Sequence, residues 1–302
     1  MQNLHGKTAF ITAGAGGLGL GLAKACLLAG MRVGISYRRS EQLKEARREL
    51  GEGVHAIKLD VTDRRAVARA ADEVEATFGK VHLLINNAGV SVFGPTDQAT
   101  HDDYDWIMGV NFGGVVNGLV AFIPKIKAHG EGGHIVNVAS LAAFLPGPQA
   151  GIYTASKFAV RGLTECLRDN LAPLGIGVSL MAPGLVKSHA YESALRRPAH
   201  YSNTAFPSGA EVAEQLRPVF EMGMEPLEAG QLVLEGIRRN DLYILTHPEN
   251  KDEFRELCDS VLAAWPQGPI DPRRQAIEEQ RRAAKNSAQS RQVGVGDLVS
   301  KK

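Results

Sequence analysis

Short hydrophobic runs alternate along the chain with longer segments in which hydrophobic residues recur every three or four positions. Several of the short runs are apolar at successive positions, which is the pattern of strands covered on both faces. The predicted strands are Thr8 to Thr12, Arg32 to Ser36, His55 to Leu59, His82 to Asn86, His134 to Ser140, Gly177 to Met181 and Leu242 to Thr246. This alternation predicts an α/β fold, a doubly wound Rossmann-like parallel sheet in a single domain with a C-terminal helical extension.

Local signals mark the beginnings of several intervening helices. Ser40 and Asp63 are expected N-caps, and either Asp102 or Asp103 is expected to cap the next helix. Pro226 suits a first helical turn. A later helix is predicted from Pro248 to Trp265, with a buried stripe made of Phe254, Cys258, Leu262 and Trp265.

The chain shows no change of composition that would divide it before about residue 190. We therefore expect one domain over residues 1–265, with a substrate-binding segment at about 185–225. Residues 266–302 are polar on all sides, and Asp271 and Pro272 supply a helix start without an apolar stripe after it. A solvated helix followed by a flexible tail is expected there, and an arm reaching onto a neighbouring subunit is the alternative.

The charges are balanced, with 34 Lys and Arg against 33 Asp and Glu, so no nucleic-acid partner is expected. Cys26, Cys166 and Cys258 lie far apart among apolar neighbours, which favours buried thiols in a reducing compartment. No signal sequence or run of 18 apolar residues is apparent. These features predict a cytoplasmic protein without a membrane partner.

The first predicted strand leads into a glycine-rich turn, TAGAGGLGLGLAKA, that opens a helix. Backbone N–H groups at a helix N-terminus favour binding of a pyrophosphate. Such a turn also occurs wherever a strand and a helix pack closely, so alone it is a weak signal. Its position between the first strand and the first helix favours nucleotide binding.

In this context the sequence resembles the short-chain dehydrogenase/reductase family, single-domain Rossmann enzymes whose turn is TGxxxGxG. Gly17 and Gly19 match the second and third glycines, but Ala13 replaces the first. Alanine tolerates positive φ poorly, so dinucleotide affinity suffers unless the neighbouring Gly14 and Gly16 relieve the crowding.

The resemblance continues in order along about 190 residues. Asp60 and Val61 match an adenine-binding segment, Asn86 to Gly89 match NNAG, and Pro183 to Ser188 match PGxVxT with Ser for Thr. The resemblance implies that these positions bind the dinucleotide: Thr12, Gly14, Gly17, Leu18, Gly19, Tyr37, Arg38, Arg39, Asp60, Val61, Asn87, Ala88, Gly89, Tyr153, Lys157, Pro183, Gly184, Val186 and Ser188.

Tyr153 and Lys157, in YTASK, form the candidate catalytic pair. Residues four apart on a helix share one face, so the Lys157 ammonium is expected to lower the pKa of the phenol, together with an oxidised nicotinamide. Ser140 ends a predicted strand thirteen positions earlier, the interval that the family uses, and is expected to hold the substrate oxygen. Asn111 matches the fourth catalytic residue, whose side-chain amide is expected to hold a water linking the lysine to solvent. Taken singly, an exposed Tyr–Lys pair and a turn-capping serine are open alternatives.

The end of the second strand decides the expected cofactor. Enzymes of this fold that use NAD place an acid there, whereas this chain has Tyr37 followed by Arg38 and Arg39. Guanidinium groups bind phosphate well, so NADP(H) is expected in preference to NAD(H). The alternative is that both arginines are solvated surface charges and that NAD is held less selectively.

The expected substrate pocket is mainly apolar and aromatic, which suits a hydrophobic, aromatic secondary alcohol or ketone. Its predicted lining is Ser91, Phe93, Leu141, Phe144, Leu145, Gln149, His189 and Tyr191, with Tyr201 and Phe206 nearby. In detail the chain is similar to bacterial Cα-dehydrogenases that oxidise benzylic alcohols in lignin-type aryl ethers. Those relatives use NAD. The sequence Tyr37-Arg38-Arg39 departs from them at the position that decides the cofactor. No metal site is expected, because histidines such as His134, His189 and His247 lack ligand spacing.

Other functions stay open at this stage. One is a catalytically idle NADP(H)-binding sensor or partner protein, another is an NAD-dependent benzylic alcohol dehydrogenase, and a third is an epimerase or dehydratase of the longer branch of the superfamily. The resemblance also implies a homodimer or homotetramer formed through the helices that carry Asn111 and Tyr153.

Overall fold

A seven-stranded parallel sheet forms the centre of the molecule in the computed structural model, which describes residues 1–288. The strand order is β3-β2-β1-β4-β5-β6-β7, which confirms the predicted doubly wound α/β fold. The strands are β1 (Thr8–Ile11), β2 (Arg32–Tyr37), β3 (His55–Lys58), β4 (Leu83–Asn86), β5 (Gly133–Val138), β6 (Ile176–Ala182) and β7 (Tyr243–Leu245). All seven lie within two residues of their predicted bounds.

Helices cover both faces of this sheet, and a five-residue π-turn, Gly109–Gly113, joins the fourth to the fifth. They are α1 (Gly17–Leu28), α2 (Ser40–Leu50), α3 (Arg64–Phe78), α4 (His101–Met108), α5 (Gly114–Ala128), α6 (Gly151–Leu171), α7 (Ala210–Glu221), α8 (Pro226–Arg239), α9 (Lys251–Ala263) and α10 (Pro272–Ala288).

The alternation of side chains in the central strands produces two cores. Phe10 of β1 pairs in register with Leu84 of β4, and both belong to the core under α3, α5 and α6. The next pair, Ile11 and Ile85, points to the other face and packs under α1 and α8. Chain order reverses between β1 and β4, so the loops after these two strands diverge and leave a crevice at their carboxyl ends.

Two of the predicted helix caps are wrong. Asp63 caps α3 as expected, because its side chain accepts hydrogen bonds from the N–H groups of residues 65 and 66. Ser40 is already inside α2, whose N-cap is Arg39. In α4 the cap is Thr100, and Asp103 is the third residue of a capping box, which leaves its second carboxylate oxygen free to bind other segments.

The predicted buried stripe on α9 is also wrong. Phe254 packs edge-on against Phe144 with ring centroids 5.4 Å apart, but Leu262 and Trp265 are 63% and 67% exposed. The helix contacts the core only through its first turns. The cysteine prediction holds for Cys26 alone, since Cys166 is exposed and Cys258 is half-buried.

One helical stretch, His101–Ala128, is long and apolar enough to span a membrane, but half of its apolar window is buried inside the fold. It is therefore a core helix. At the other end of the chain, α10 begins at Pro272 as expected, and Asp271 accepts a hydrogen bond from the N–H of Arg273 at 2.8 Å. The predicted flexible tail over 289–302 lies outside the described residues, and the boundary at residue 265 stays a prediction.

Candidate active site

A cleft of about 550 Å³ lies at the carboxyl ends of the strands and brings together most of the predicted site residues. Every predicted dinucleotide-binding residue except Thr12 and Gly14 lines it. Three of the four predicted catalytic residues, Ser140, Tyr153 and Lys157, also line it, and so do four of the predicted substrate residues, Ser91, Phe93, Leu145 and His189.

Ala13, at the first position of the glycine-rich turn, adopts a left-handed backbone with φ of 52°. Its N–H donates to Ser36 Oγ at 2.9 Å, and its carbonyl accepts from Asn87 Nδ2 at 3.3 Å. Its side chain is exposed, so the methyl group meets no obstacle. The turn thus keeps the conformation that a glycine adopts most easily, at a backbone cost of about 1 kcal/mol.

The next two motif glycines have no room for a side chain. A Cβ on Gly17, whose φ is 50°, would lie 2.7 Å from Ser188 Cβ, and one on Gly19 would lie 2.2 Å from the carbonyl oxygen of Ala13. The N-cap of α1, Gly16, supplies no side-chain cap to the amides of the first helical turn. Bare amides at the end of a cleft this size fit the pyrophosphate of a dinucleotide.

Thr12 lies behind the cleft rather than in it. Its Oγ1 accepts hydrogen bonds from the N–H groups of Asn87 at 2.8 Å and Ala88 at 2.9 Å, and Asn87 Nδ2 donates to its carbonyl at 2.9 Å. Gly14 is also buried, because a Cβ there would lie 2.6 Å from Ile35 Cγ2. Both residues therefore support the loops that line the cleft, and their expected contact with the dinucleotide stays a prediction.

The end of β2 presents two guanidinium groups to the cleft. Tyr37, Arg38 and Arg39 all line it. Arg38 Nε lies 3.7 Å from Asp60 Oδ2, and both side chains are nearly half exposed. Within residues 1–288, Arg39 forms no ion pair, so its charge is available to an anionic ligand.

Tyr153 and Lys157 lie on α6, and both are buried. Lys157 Nζ donates to the carbonyl of Val138 at 3.2 Å and lies 5.5 Å from the centroid of the Tyr153 ring. Burial raises the pKa of Tyr153, while hydrogen bonds with the hydroxyls of Ser140 and Ser91 lower it. Burial also lowers the pKa of Lys157 to about 8. Burial thus outweighs the hydroxyl contacts in the net shift of the Tyr153 pKa, and the expected lowering by Lys157 together with an oxidised nicotinamide stays a prediction.

Asn111 lies in the π-turn and is completely buried. Its Oδ1 accepts from the N–H of Val90 at 2.8 Å, and its Nδ2 donates to the carbonyl of Val90 at 3.1 Å and to Ser156 Oγ at 3.0 Å. Ser156 Oγ in turn donates to the carbonyl of Tyr153 at 2.6 Å. Both amide hydrogens are thus used within the protein, while Oδ1 accepts a single hydrogen bond, so the water that this side chain is expected to hold stays a prediction. The side chain couples the loop after β4 to α6.

Comparison with known proteins places this geometry in a family. The family model for short chain dehydrogenases matches residues 7–198. The chain belongs to the short-chain dehydrogenase family. It is accordingly an oxidoreductase that acts on alcohols or ketones with a nicotinamide dinucleotide.

Individual relatives cover most of the chain. A C alpha-dehydrogenase from Sphingobium sp. (strain NBRC 103272 / SYK-6) is 42% identical over 269 residues, which are 86% of this chain and 88% of that protein. The structure of a putative short-chain dehydrogenase from Novosphingobium aromaticivorans is 39% identical with a TM-score of 0.81, and covers 96% of this chain and 100% of its own. A short-chain dehydrogenase/reductase from Burkholderia phymatum in complex with NAD is 34% identical with a TM-score of 0.81, and covers 90% and 100%. The resemblance to Cα-dehydrogenases is confirmed.

Four predicted substrate residues of this short-chain dehydrogenase lie outside the cleft. Leu141 is held by its N–H bond to the carbonyl of Pro183, and Phe144 packs against Phe254. The side chain of Gln149 is exposed, and Tyr191 is buried against Phe220 with ring centroids 5.7 Å apart. Of the predicted substrate positions in the turn after Ser140, only Leu145 lines the cleft. The two nearby aromatic residues, Tyr201 and Phe206, also pack into the core behind it.

The sequence motifs missed several residues that line the cleft. Gln42 extends from α2, while Arg196 and Phe220 come from the segment between β6 and α8. No motif marks them, because only the folding of that segment places them beside the cleft.

The turn Pro183–Gly184 is positioned by a histidine that sequence patterns did not single out for this role. The N–H of Gly184 donates to His247 Nδ1 at 3.0 Å, and His247 Nε2 donates to the carbonyl of Leu185 at 3.1 Å. His247 thus fixes the start of the substrate segment, consistent with the packing role expected for it.

One group in the described part of the chain has metal-like spacing, His82, His129 and Glu131. His82 Nδ1 accepts from the N–H of Thr8, so its Nε2 carries the hydrogen that is donated to Glu131 at 3.0 Å. His129 Nε2 donates to the carbonyl of Val81, and its Nδ1 accepts from the N–H of Glu131. Neither imidazole keeps a free lone pair, so this group is a hydrogen-bond network at the opposite end of the sheet.

Proposed function

We propose that this chain interconverts a hydrophobic, aromatic secondary alcohol and its ketone, with NADP(H) as the hydride partner. The observation that carries the cofactor assignment is the end of β2, where Tyr37 replaces the acid that would repel a 2′-phosphate. Arg38 and Arg39 line the cleft directly after it. Of the two, Arg39 has no competing carboxylate among the described residues.

Four side chains carry the proposed proton chemistry. When bound, a nicotinamide supplies or accepts the hydride. In ketone reduction Tyr153 Oη donates its proton to the substrate oxygen and becomes a phenolate, and in alcohol oxidation that phenolate takes the proton of the substrate hydroxyl. The Ser140 hydroxyl steadies the same oxygen. Lys157 places a positive charge near the phenol, and Asn111 positions the loop after β4 against α6.

The cleft wall supports an aromatic substrate. The ring of Phe93 meets the Tyr153 ring edge-on, with centroids 5.6 Å apart, and Leu145 and Phe220 also line the cleft. An aryl group beside the reacting carbon would pack against these side chains. The similarity to a C alpha-dehydrogenase over 86% of this chain supports the same class of substrate.

A second candidate is an NAD-dependent benzylic alcohol dehydrogenase. The Burkholderia phymatum relative in complex with NAD favours it. The ion pair of Arg38 with Asp60 also favours it, because this contact withdraws one guanidinium from a phosphate. The unpaired Arg39 argues for NADP(H).

An idle NADP(H)-binding sensor or partner protein receives less support. Lys157 is only 4% exposed, and its pKa is lowered to about 8 by burial. A buried charge of this kind destabilises the folded state, which is typical of an active site that performs chemistry.

We also propose a homodimer or homotetramer through the helical layer that carries Asn111 and Tyr153. Val120 of α5 and Phe158 of α6 are 72% and 42% exposed in the single chain. Light scattering of the parent and of a Val120→Glu, Phe158→Glu variant tests this, and an unchanged mass contradicts it. The cytoplasmic location stays a prediction.

The cofactor ratio tests the central proposal. We expect kcat/KM with NADPH to exceed that with NADH on aryl ketones, and Arg38→Asp, Arg39→Ser to reverse the ratio. Arg48→Ser, an exposed arginine of α2 outside the cleft, is the matched control and should leave the ratio unchanged. An unaltered ratio in the double variant contradicts NADP(H) selection by these arginines. Tight binding of NADPH without turnover of any ketone or alcohol would support the idle alternative.

A further inference from the structure

Arg196 brings a third guanidinium to the cleft from a segment remote from β2. It ends the short 3-10 turn Ala194–Arg196, within the segment that joins β6 to α8, and it lines the cleft together with Arg39. Its side chain is 26% exposed and forms an ion pair with Glu192, one turn earlier.

The backbone next to Arg196 is firmly held. Arg197 Nη2 donates to Asp103 Oδ1 at 2.6 Å, and these two side chains are 7% and 0% exposed. The Arg197 guanidinium also lies 4.6 Å from the centroid of the Trp106 ring, and Thr204 Oγ1 donates to the same Asp103 oxygen at 2.6 Å. This anchor fixes the segment to α4 and so determines where Arg196 can reach.

The two ends of the segment that joins β6 to α8 are also held together by backbone hydrogen bonds. Val186 pairs with Met224 in an isolated parallel bridge. The N–H of Met224 donates to the carbonyl of Leu185 at 2.9 Å, and the N–H of Lys187 donates to the carbonyl of Met224 at 3.0 Å. Arg196 therefore extends from a loop that is pinned at its base and at its far side.

The positive charges of Arg39 and Arg196 are only partly balanced by neighbouring carboxylates. Burial lowers the pKa of Arg196, and the positive charge of Arg39 lowers it further. Glu192 offsets one guanidinium, while Arg39 has no carboxylate partner among the described residues. Two guanidinium groups close enough to repel each other are stabilised by a dianion placed between them, because each then donates charge-assisted hydrogen bonds to it.

We propose that Arg196 is a specificity-determining residue that clamps the 2′-phosphate of NADP(H) from the side opposite Arg39. This rests on the proposed NADP(H) preference. Arg196 belongs to the segment that carries the substrate wall, so a phosphate held by Arg196 steadies that wall where it lies. Selection of the cofactor and ordering of the substrate pocket are thereby coupled.

Affinities for nucleotide fragments test the clamp without catalysis. The measurement is the Kd of NADPH, NADH, 2′,5′-ADP and 5′-AMP by calorimetry. We expect Arg196→Met to weaken binding of NADPH and 2′,5′-ADP about ten- to a hundredfold, with little change for NADH and 5′-AMP. Glu192→Gln should strengthen NADPH binding, since it removes the competing carboxylate. Arg255→Met removes the same charge from an exposed ion pair with Asp252 on α9, outside the cleft, and should change nothing.

Hydrogen exchange supplies a second readout. In the parent, 2′,5′-ADP should slow amide exchange over residues 185–201, whereas 5′-AMP should not. In Arg196→Met neither nucleotide should slow it.

Two results overturn the clamp. An equal loss of NADPH and NADH affinity in Arg196→Met would assign Arg196 to the pyrophosphate, and an unchanged NADPH affinity would leave it only as the partner of Glu192. If Arg39→Ser lowers NADPH preference while Arg196→Met does not, only the clamp fails. If neither substitution alters the NADPH to NADH ratio, the proposed cofactor preference fails too.

Discussion

The Lys157 ammonium lies 5.5 Å from the centroid of the Tyr153 ring but donates its hydrogen bond to the carbonyl of Val138. The two side chains are neighbours on α6, but the ammonium and the phenol oxygen are not hydrogen-bonded to each other. Burial disfavours the charged form of each, so the pKa of Tyr153 is raised and that of Lys157 is lowered to about 8. Near neutral pH both groups keep their protons, with Tyr153 neutral and ready to donate.

Lys157→Met should abolish turnover and increase the free energy of unfolding by about 1–3 kcal/mol near pH 7. The reason is that the folded-state pKa lies below that of the unfolded chain, whose lysine titrates near 10.5. The unfolded chain thus binds more protons between these values, and the destabilisation is full below about pH 8 and fades as the pH rises towards 10.5. Denaturant melts of parent and variant at several pH values check this.

Lys187→Met, at an exposed lysine paired with Glu225, is the control and should not stabilise the protein. A Lys157→Met variant less stable than the parent at neutral pH would contradict the account of the buried charge.

Ala13→Gly should raise the free energy of unfolding by up to about 1 kcal/mol, because glycine adopts a φ of 52° without strain. The exposed methyl group makes no packing contact that would be lost. Asn240→Gly is the matched control, since Asn240 also has a positive φ, of 58°, but asparagine tolerates it. A destabilised Ala13→Gly protein would show that the turn carries no strain.

Asn111→Ala should destabilise the fold by about 2–4 kcal/mol, because it strands the buried N–H and C=O groups of Val90. It should also reduce kcat more than KM, since the loop after β4 and α6 lose their link. Asn117→Ala removes a single bond to the carbonyl of Val61 and should cost less. Thermal melts and steady-state kinetics of both variants test this. Equal losses of stability and of kcat in the two variants would contradict the linking role of Asn111.

Strands and the main cleft residues were predictable because their signals are local. β1 and β4 are apolar at successive positions, so both faces had to be covered, and Phe10 and Ile11 indeed point into different cores. The motif glycines and Tyr153 follow strand ends or lie on one helix, and parallel topology then brings them to one edge.

Features that depend on tertiary packing were not predictable. The stripe on α9 has helical spacing, yet no other described element covers Leu262 or Trp265. Arg196 reaches the cleft only because Arg197 is anchored to Asp103 far away in sequence. The raised pKa of Tyr153 follows from burial, which the spacing of Tyr and Lys does not reveal.

The Tyr153→Phe variant, assayed with NADPH and an aryl ketone, tests the central claim most directly. We predict that kcat falls at least about 10²-fold, while the Kd for NADPH stays within about twofold, since the aromatic ring and its contact with Phe93 remain. Tyr104→Phe, which removes an exposed phenol on α4, should retain full activity. A Tyr153→Phe enzyme that reduces the ketone as fast as the parent would contradict the account.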